Sequence, residues 1–242
     1  MKKLLMLAGL LLSISFVGNI VGYRYAYRAF DRYNDTRIDP TGTFFQQGPC
    51  PLDSLWDVVL LGDSHAKNWR YPGNSLNLGI PSQTSSQIKL RSDAYKSHLQ
   101  GNLLIIIAGA NDLNCITTNR ARKEEIVKNC LSCLSAVIDN HRDNFRDICI
   151  STVVPEFRPQ FEYRFLHCKE MDEALDEMNT GIRSLAKGKG IRLLDSYAIL
   201  EPRMNTEDLS SDGIHLNQKA YEYLYSEMDK QVKNTSDIRR DE

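Results

Sequence analysis

The chain has 242 residues, 42% of them hydrophobic and 25% charged, with a formal net charge of −1. That length supports one domain with a sizeable core, and the composition is that of an ordinary globular protein. The charges are spread along the chain in near balance, which excludes the basic footprint of a nucleic-acid binder.

Met1-Lys2-Lys3 opens onto an apolar run from Leu4 to Gly22, broken only by Ser13, Ser15 and Asn19. Roughly 20 residues is what a helix needs to cross a bilayer, and a charged start before an apolar core is also the form of a secretory signal. No Ala-x-Ala-like cleavage site follows, which favours an uncleaved anchor over a removed signal. The run shows no amphipathic face of the kind a buried globular helix carries. Lys2 and Lys3 precede it and Arg24, Arg28 and Arg32 follow it, so the positive-inside rule selects no orientation. Residues 1–22 are expected to anchor a domain facing the periplasm or cell exterior, or to be cleaved to release a secreted one. Residues 23–54, rich in tyrosine and arginine and then containing proline and glycine, read as a stalk.

From Asp57 onward, apolar runs alternate with helical patterns. Asp57-Val-Val-Leu-Leu61 reads as a strand ending in Gly62, and Ser75-Leu-Asn-Leu-Gly79 as a second, weaker one. Residues 84–99 read as a helix. Leu103-Leu-Ile-Ile-Ile-Ala108 is the β-branched run of a strand covered on both faces. Between Arg120 and His141, apolar positions such as Ile126, Cys130, Leu134, Val137 and Ile138 recur at helical spacing. Ile148 to Val154 reads as a buried strand ended by Pro155. Residues 170–187 read as a helix, Ile191–Leu194 as a last strand and 217–232 as a closing helix, with a polar tail at 233–242. This alternation predicts an α/β fold with a parallel sheet and helices on both faces. Ligands then bind beyond the carboxyl ends of the strands.

Four short segments fall at that edge. Gly62-Asp-Ser-His65 follows the first strand, where Ser64 can begin a helix whose backbone N–H groups face a developing oxyanion. Asn77-Leu-Gly79 ends the second strand; a glycine lets backbone approach a ligand closely and offers an N–H. Gly109-Ala-Asn-Asp112 follows the third, and Asn111 carries a side-chain amide donor. Asp212-Gly-Ile-His215 precedes the last helix. An aspartate and a histidine three apart in a tight turn can lie side by side, so that the carboxylate orients the imidazole and the imidazole takes a proton from Ser64. Each fragment alone also reads as a turn or a cap; their joint occurrence in this order carries the argument.

On these four segments, over about residues 56–230, the chain resembles the SGNH hydrolases, also called GDSL-type esterases and lipases. The resemblance implies a three-layer α/β/α sandwich with a short parallel sheet. It implies a catalytic triad of Ser64, Asp212 and His215, an oxyanion hole of Ser64, Gly79 and Asn111, and neither metal nor organic cofactor. His65 stands where the family usually has leucine and reads as a packing or rim residue, with Asp63 tying down the turn. No Gly-x-Ser-x-Gly elbow surrounds Ser64, so the α/β-hydrolase fold is not the expectation.

The expected substrate is a small ester or an acylated glycan or lipid. Phe157, Phe161, Tyr163 and Phe165, following the fourth strand, are candidates to line its pocket or to pack as a surface flap. Three rival readings share the chain: an O-acetyltransferase or deacetylase acting on envelope polysaccharide with the same triad, a non-catalytic binding module of the same fold, and a tethered redox protein using Cys130 and Cys133. That last pair lies inside a helical pattern rather than at a helix start, where a thiolate would be favoured. An even count of six cysteines permits disulfides in an exported protein, whereas Cys149 reads as a core thiol. His98, His141 and His167 read as surface residues.

Overall fold

The computed structural model describes residues 2–41, 54–155 and 167–238, and the chain divides into two compact units, residues 1–48 and 49–242. The first unit is helix α1 (Lys2–Ile38). It runs well past the apolar stretch into the expected stalk, because no proline interrupts it before Pro40. Over Met6–Ile38 it is long and apolar enough to cross a membrane, with a mean hydropathy of 1.8 in its most apolar window.

Among the described residues, the second unit is built on five strands: β1 (Leu55–Gly62), β2 (Ser75–Gly79), β3 (Gln100–Ile107), β4 (Phe145–Ser151) and β5 (Arg192–Leu194). They pair in the order β2-β1-β3-β4-β5, and every pairing is parallel. Side chains alternate across a strand, so each central strand feeds two cores. Val59 and Leu61 of β1 join Leu104 and Ile106 of β3 on one face, with α3 (Ser85–Tyr95), α4 (Ala110–Ile116), α5 (Lys123–His141) and α6 (Lys169–Lys189) packed over them. Leu60 of β1 and Leu103, Ile105 and Ile107 of β3 turn to the other face, under α2 (Ser64–Asn68), α7 (Ser196–Leu200) and α8 (Gln218–Ile238). This is the expected three-layer α/β/α sandwich. Leu60, Leu61, Leu104, Ile105 and Ile106 are wholly buried, each contributing about 1.5–3 kcal/mol relative to exposure.

Several boundaries differ from the sequence reading: β4 begins three residues earlier and ends three earlier than Ile148–Val154, and the 84–99 helix ends at Tyr95. The 120–141 helix starts at Lys123 after a 3-10 turn over Arg120–Arg122. Helix α8 continues to Ile238 through the expected polar tail, where neither proline nor glycine stops it. The strand order reverses direction at β1, since β2 lies on one side of it and β3 on the other. In open parallel sheets the crevice at such a reversal is where ligands bind, and here it lies between the ends of β1 and β3.

Candidate active site

Ser64 is the first residue of α2, directly beyond β1. Asp63 caps this helix by accepting the His65 N–H at 2.9 Å, the turn-holding role expected of it. Gly62 has to be glycine, because a Cβ there would stand 2.0 Å from the Ile107 carbonyl oxygen. Close contact between the ends of β1 and β3 thus puts Ser64 at the reversal point.

Asp212 and His215 come from the loop before α8. That loop closes on itself: the Ser211 N–H donates to the His215 carbonyl at 2.9 Å, and the Gly213 N–H to Ser210 Oγ at 2.8 Å. Gly213 sits at φ +86°, a conformation that favours glycine. Asp212 Oδ1 accepts the backbone N–H groups of Ile214 and His215 at 2.9 and 2.7 Å, and Oδ2 lies 2.6 Å from His215 Nδ1. Burial pushes the Asp212 carboxyl up, but its bonds to the His215 side chain and to the two backbone N–H groups outweigh this and hold it below its ordinary value. His215 Nε2 then lies 3.1 Å from Ser64 Oγ, across 151 residues of sequence. Ser64, His215 and Asp212, which the sequence reading grouped as a triad, lie in one hydrogen-bonded line.

Asn111 is in the first turn of α4, just beyond β3. The residue before this helix, Gly109, has φ +116°, and a Cβ on it would meet Val153 and Met178 at 2.7 and 2.8 Å. The Asn111 amide donates to the Gln83 carbonyl at 3.0 Å, leaving its second N–H for another acceptor. Gly79 departs from the oxyanion-donor expectation: its N–H donates to Asn77 Oδ1 at 2.9 Å. The Asn77 amide in turn donates to the α2 carbonyls of Ala66 and, beyond the helix, Trp69 at 2.8 and 3.0 Å. A Cβ on Gly79 would stand 2.1 Å from the Lys67 nitrogen. These contacts seat the end of β2 against α2.

Several supporting contacts carried no signal in the sequence. Arg91 of α3 is fully buried and donates to the Leu78 carbonyl at 2.6 Å, the Gly62 carbonyl at 3.2 Å and Gln83 Oε1 at 2.9 Å. It ties the ends of β1 and β2 to the loop whose Gln83 carbonyl holds Asn111. In that loop Ser82 has φ +65°, strained for a side chain that is not glycine. Asp112 is buried and accepts from the Ser85 N–H and hydroxyl at 2.8 and 2.6 Å, fastening α4 to α3. Such ties are visible only when distant segments are superposed.

His65 is buried, its carbonyl accepting the Tyr221 hydroxyl at 2.8 Å and its ring 5.8 Å from that of His215. Burial, then the nearby His215 charge, lower its pKa to about 4. His98 and His167 are exposed as expected. His141 is not: it is wholly buried, 2.9 Å from the Ser92 hydroxyl, and burial, then the Lys96 charge, lower its pKa to about 4. Its position at the end of α5 faces the core rather than solvent, which helical periodicity alone left ambiguous.

Among the described residues, five cysteines are free thiols and no cluster of histidine, cysteine or acidic side chains could hold a metal ion. Cys130 and Cys133 are buried in the middle of α5, and burial pushes the Cys130 thiol well above its ordinary value; a reactive dithiol needs the opposite. Cys149 is a core thiol. Phe157, Phe161, Tyr163 and Phe165 lie outside the described residues. A cavity of about 380 Å³ opens beside the site, lined by His65, Ala110 and Ile214 and by apolar side chains of α4 and α6.

A parallel α/β/α sandwich with serine, histidine and aspartate gathered at the reversal of its sheet defines the SGNH class of hydrolase. The chain belongs to the GDSL-like lipase/acylhydrolase family, whose pattern matches residues 58–223, and it is an ester-hydrolysing enzyme. No curated protein sequence matches it. Its fold is similar to that of a GDSL-like lipase from Bacteroides thetaiotaomicron, at 18% identity and a TM-score of 0.58 over 84% of this chain and 98% of the other. It is also similar to a lipolytic G-D-S-L family member from Veillonella parvula, at 14% and 0.53 over 72% and 95%. A variant of an acetyl xylan esterase from Geobacillus stearothermophilus aligns at 15% and 0.56 over 70% and 91%.

Proposed function

We propose that this enzyme cleaves carboxylic esters by acyl transfer through Ser64. The observation that carries the reading is the 3.1 Å approach of His215 Nε2 to Ser64 Oγ, with Asp212 on the other ring nitrogen. His215 takes the Ser64 proton as Oγ bonds to the ester carbonyl carbon, then gives it to the departing alkoxide as the carbon–oxygen bond breaks. Asp212 holds the imidazole in the tautomer whose Nε2 accepts. Water repeats the sequence on the acyl-enzyme, releasing the acid and restoring Ser64. The Ser64 backbone N–H and the Asn111 amide are the donors for the oxyanion. Gly79 joins them only by giving up its bond to Asn77.

Ser64→Ala is expected to abolish turnover of p-nitrophenyl acetate and labelling by a fluorophosphonate probe, with an unchanged circular dichroism spectrum. Full activity in that variant would refute the assignment. An unlabelled wild-type chain would instead favour the non-catalytic binding module. Helix α1 is read as the tether that holds this domain at a membrane, on the periplasmic or outer side. Its length and hydropathy support that role.

A further inference from the structure

We infer that the cavity beside Ser64 receives an apolar acyl group several carbons long, so that the preferred substrates are esters of medium-chain acids rather than acetates. The inference rests on the serine-hydrolase reading above and names the substrate class for that same site. Three observations carry it.

The first is position. Among the residues lining the cavity are immediate neighbours of three proposed site residues: His65 follows Ser64, Ala110 precedes the oxyanion donor Asn111 and Ile214 precedes His215. Ser64, Asn111 and His215 do not themselves line it, so the space begins one residue beyond them, within reach of a chain several carbons long attached to a carbonyl carbon at Ser64.

The second is size. The cavity measures about 380 Å³, against roughly 30 Å³ for one water in the liquid. An acetyl methyl group would leave most of it unfilled. A chain of several carbons fits within the range of small-molecule pockets, about 300–1,000 Å³.

The third is chemistry. Leu113 of α4, Val153 beyond β4, and Met171 and Leu175 of α6 supply apolar wall. The imidazole of His65 adds no charge, since burial holds its pKa near 4. The Thr117 hydroxyl is already bonded to Met171 Sδ at 3.3 Å. The cavity's charged pair, His167 with Asp172 at 3.1 Å, is exposed. An alkyl chain is favoured in such a wall. The other polar side chains of the lining, Asn114 and Thr118, are exposed, so a sugar drawn in along the apolar wall would lose hydration at hydroxyls that find few partners deeper in.

The test is a series of p-nitrophenyl esters, acetyl to octanoyl, assayed on the full-length chain with Ser64→Ala as control. At about fourfold per buried methylene, kcat/KM is expected to climb more than about tenfold from acetyl to butyryl and to go on rising until the cavity is full. Leu175→Trp, which narrows the cavity from α6, is expected to cut the ratio of hexanoyl to acetyl kcat/KM by about tenfold. Thr117→Phe serves from the α4 side if circular dichroism shows the tryptophan variant misfolded. Ser64-dependent turnover that is fastest on acetyl esters overturns the inference and leaves the catalytic assignment standing. An unchanged ratio in a folded cavity variant overturns the placement of the chain here. Absence of Ser64-dependent turnover on every ester overturns the catalytic reading itself, and the inference with it.

Discussion

Two aspartates show how placement decides what one side chain does. Asp212 is half-buried and surrounded by donors, so its carboxylate is held in the charged form that can orient His215. Asp63 is wholly buried; one oxygen accepts the His65 N–H, while Oδ2 has no hydrogen-bond partner. Burial raises its pKa to about 7. The folded chain thus keeps a proton that the unfolded chain releases near pH 3.8. The stability this contributes is complete below that lower value and is lost as pH rises through about 7. Asparagine caps a helix as well as aspartate does and does not titrate. Asp63→Asn should therefore gain on the wild type as pH rises from 5 to 8, by up to about 2.5 kcal/mol, read from urea midpoints at the two pH values. Parallel pH dependence in both proteins would show that this carboxyl is not responsible. His141 has the opposite sign. Its lowered pKa gives stability present above pH 6.5 and lost as pH falls through about 4.

At the scale of elements, the site is a junction of strand ends whose spacing is set by helix α3. Arg91 reaches back from that helix to the Gly62 and Leu78 carbonyls and grips the Gln83 side chain, while the Gln83 carbonyl receives the Asn111 amide. Through this chain of bonds the ends of β1 and β2 and the start of α4 keep a fixed separation. Gln83→Ala leaves the carbonyl in place but frees it from the arginine. Loss of one oxyanion donor lowers kcat about 10²–10³-fold, so a displaced Asn111 should cost roughly tenfold in kcat, with KM little changed. If Gln83 acts by positioning Asn111, its substitution should have almost no further effect in an Asn111→Ala background. Fully additive losses in that double-mutant cycle would make Gln83 a contributor to stability alone.

For the whole molecule, the described residues form a long apolar helix and a catalytic-type domain, each with its own physical logic. Helix α1 leaves its apolar side chains exposed across its length, a state that water disfavours and lipid accepts. The full-length chain is accordingly expected in the membrane fraction, resisting extraction by alkaline carbonate, with the domain open to protease added from outside the cytoplasm. Recovery as a soluble protein shortened at its N-terminus would identify the segment as a removed signal instead.

Local information carried much of this protein. The uninterrupted run Leu103–Ala108 announced a strand buried on both faces, and β3 is that strand. The Asp212–His215 spacing was legible because three residues in a turn determine their own neighbourhood. The α/β class followed from alternating periodicities, for the same reason. What sequence could not settle depended on which distant segments touch. His141 looked like a surface residue at a helix end until the packing of α5 against α3 put Ser92 beside it. Gly79 looked like a free donor until Asn77, pulled toward α2, took up its N–H. The cavity near Ser64, assembled from α2, the segment beyond β4, α4, α6 and the 212–215 loop, belongs to no single segment. Chain-local chemistry determined the elements and the reactive groups; only tertiary contact decided which of those groups meet, which are already engaged, and how much space lies beside them.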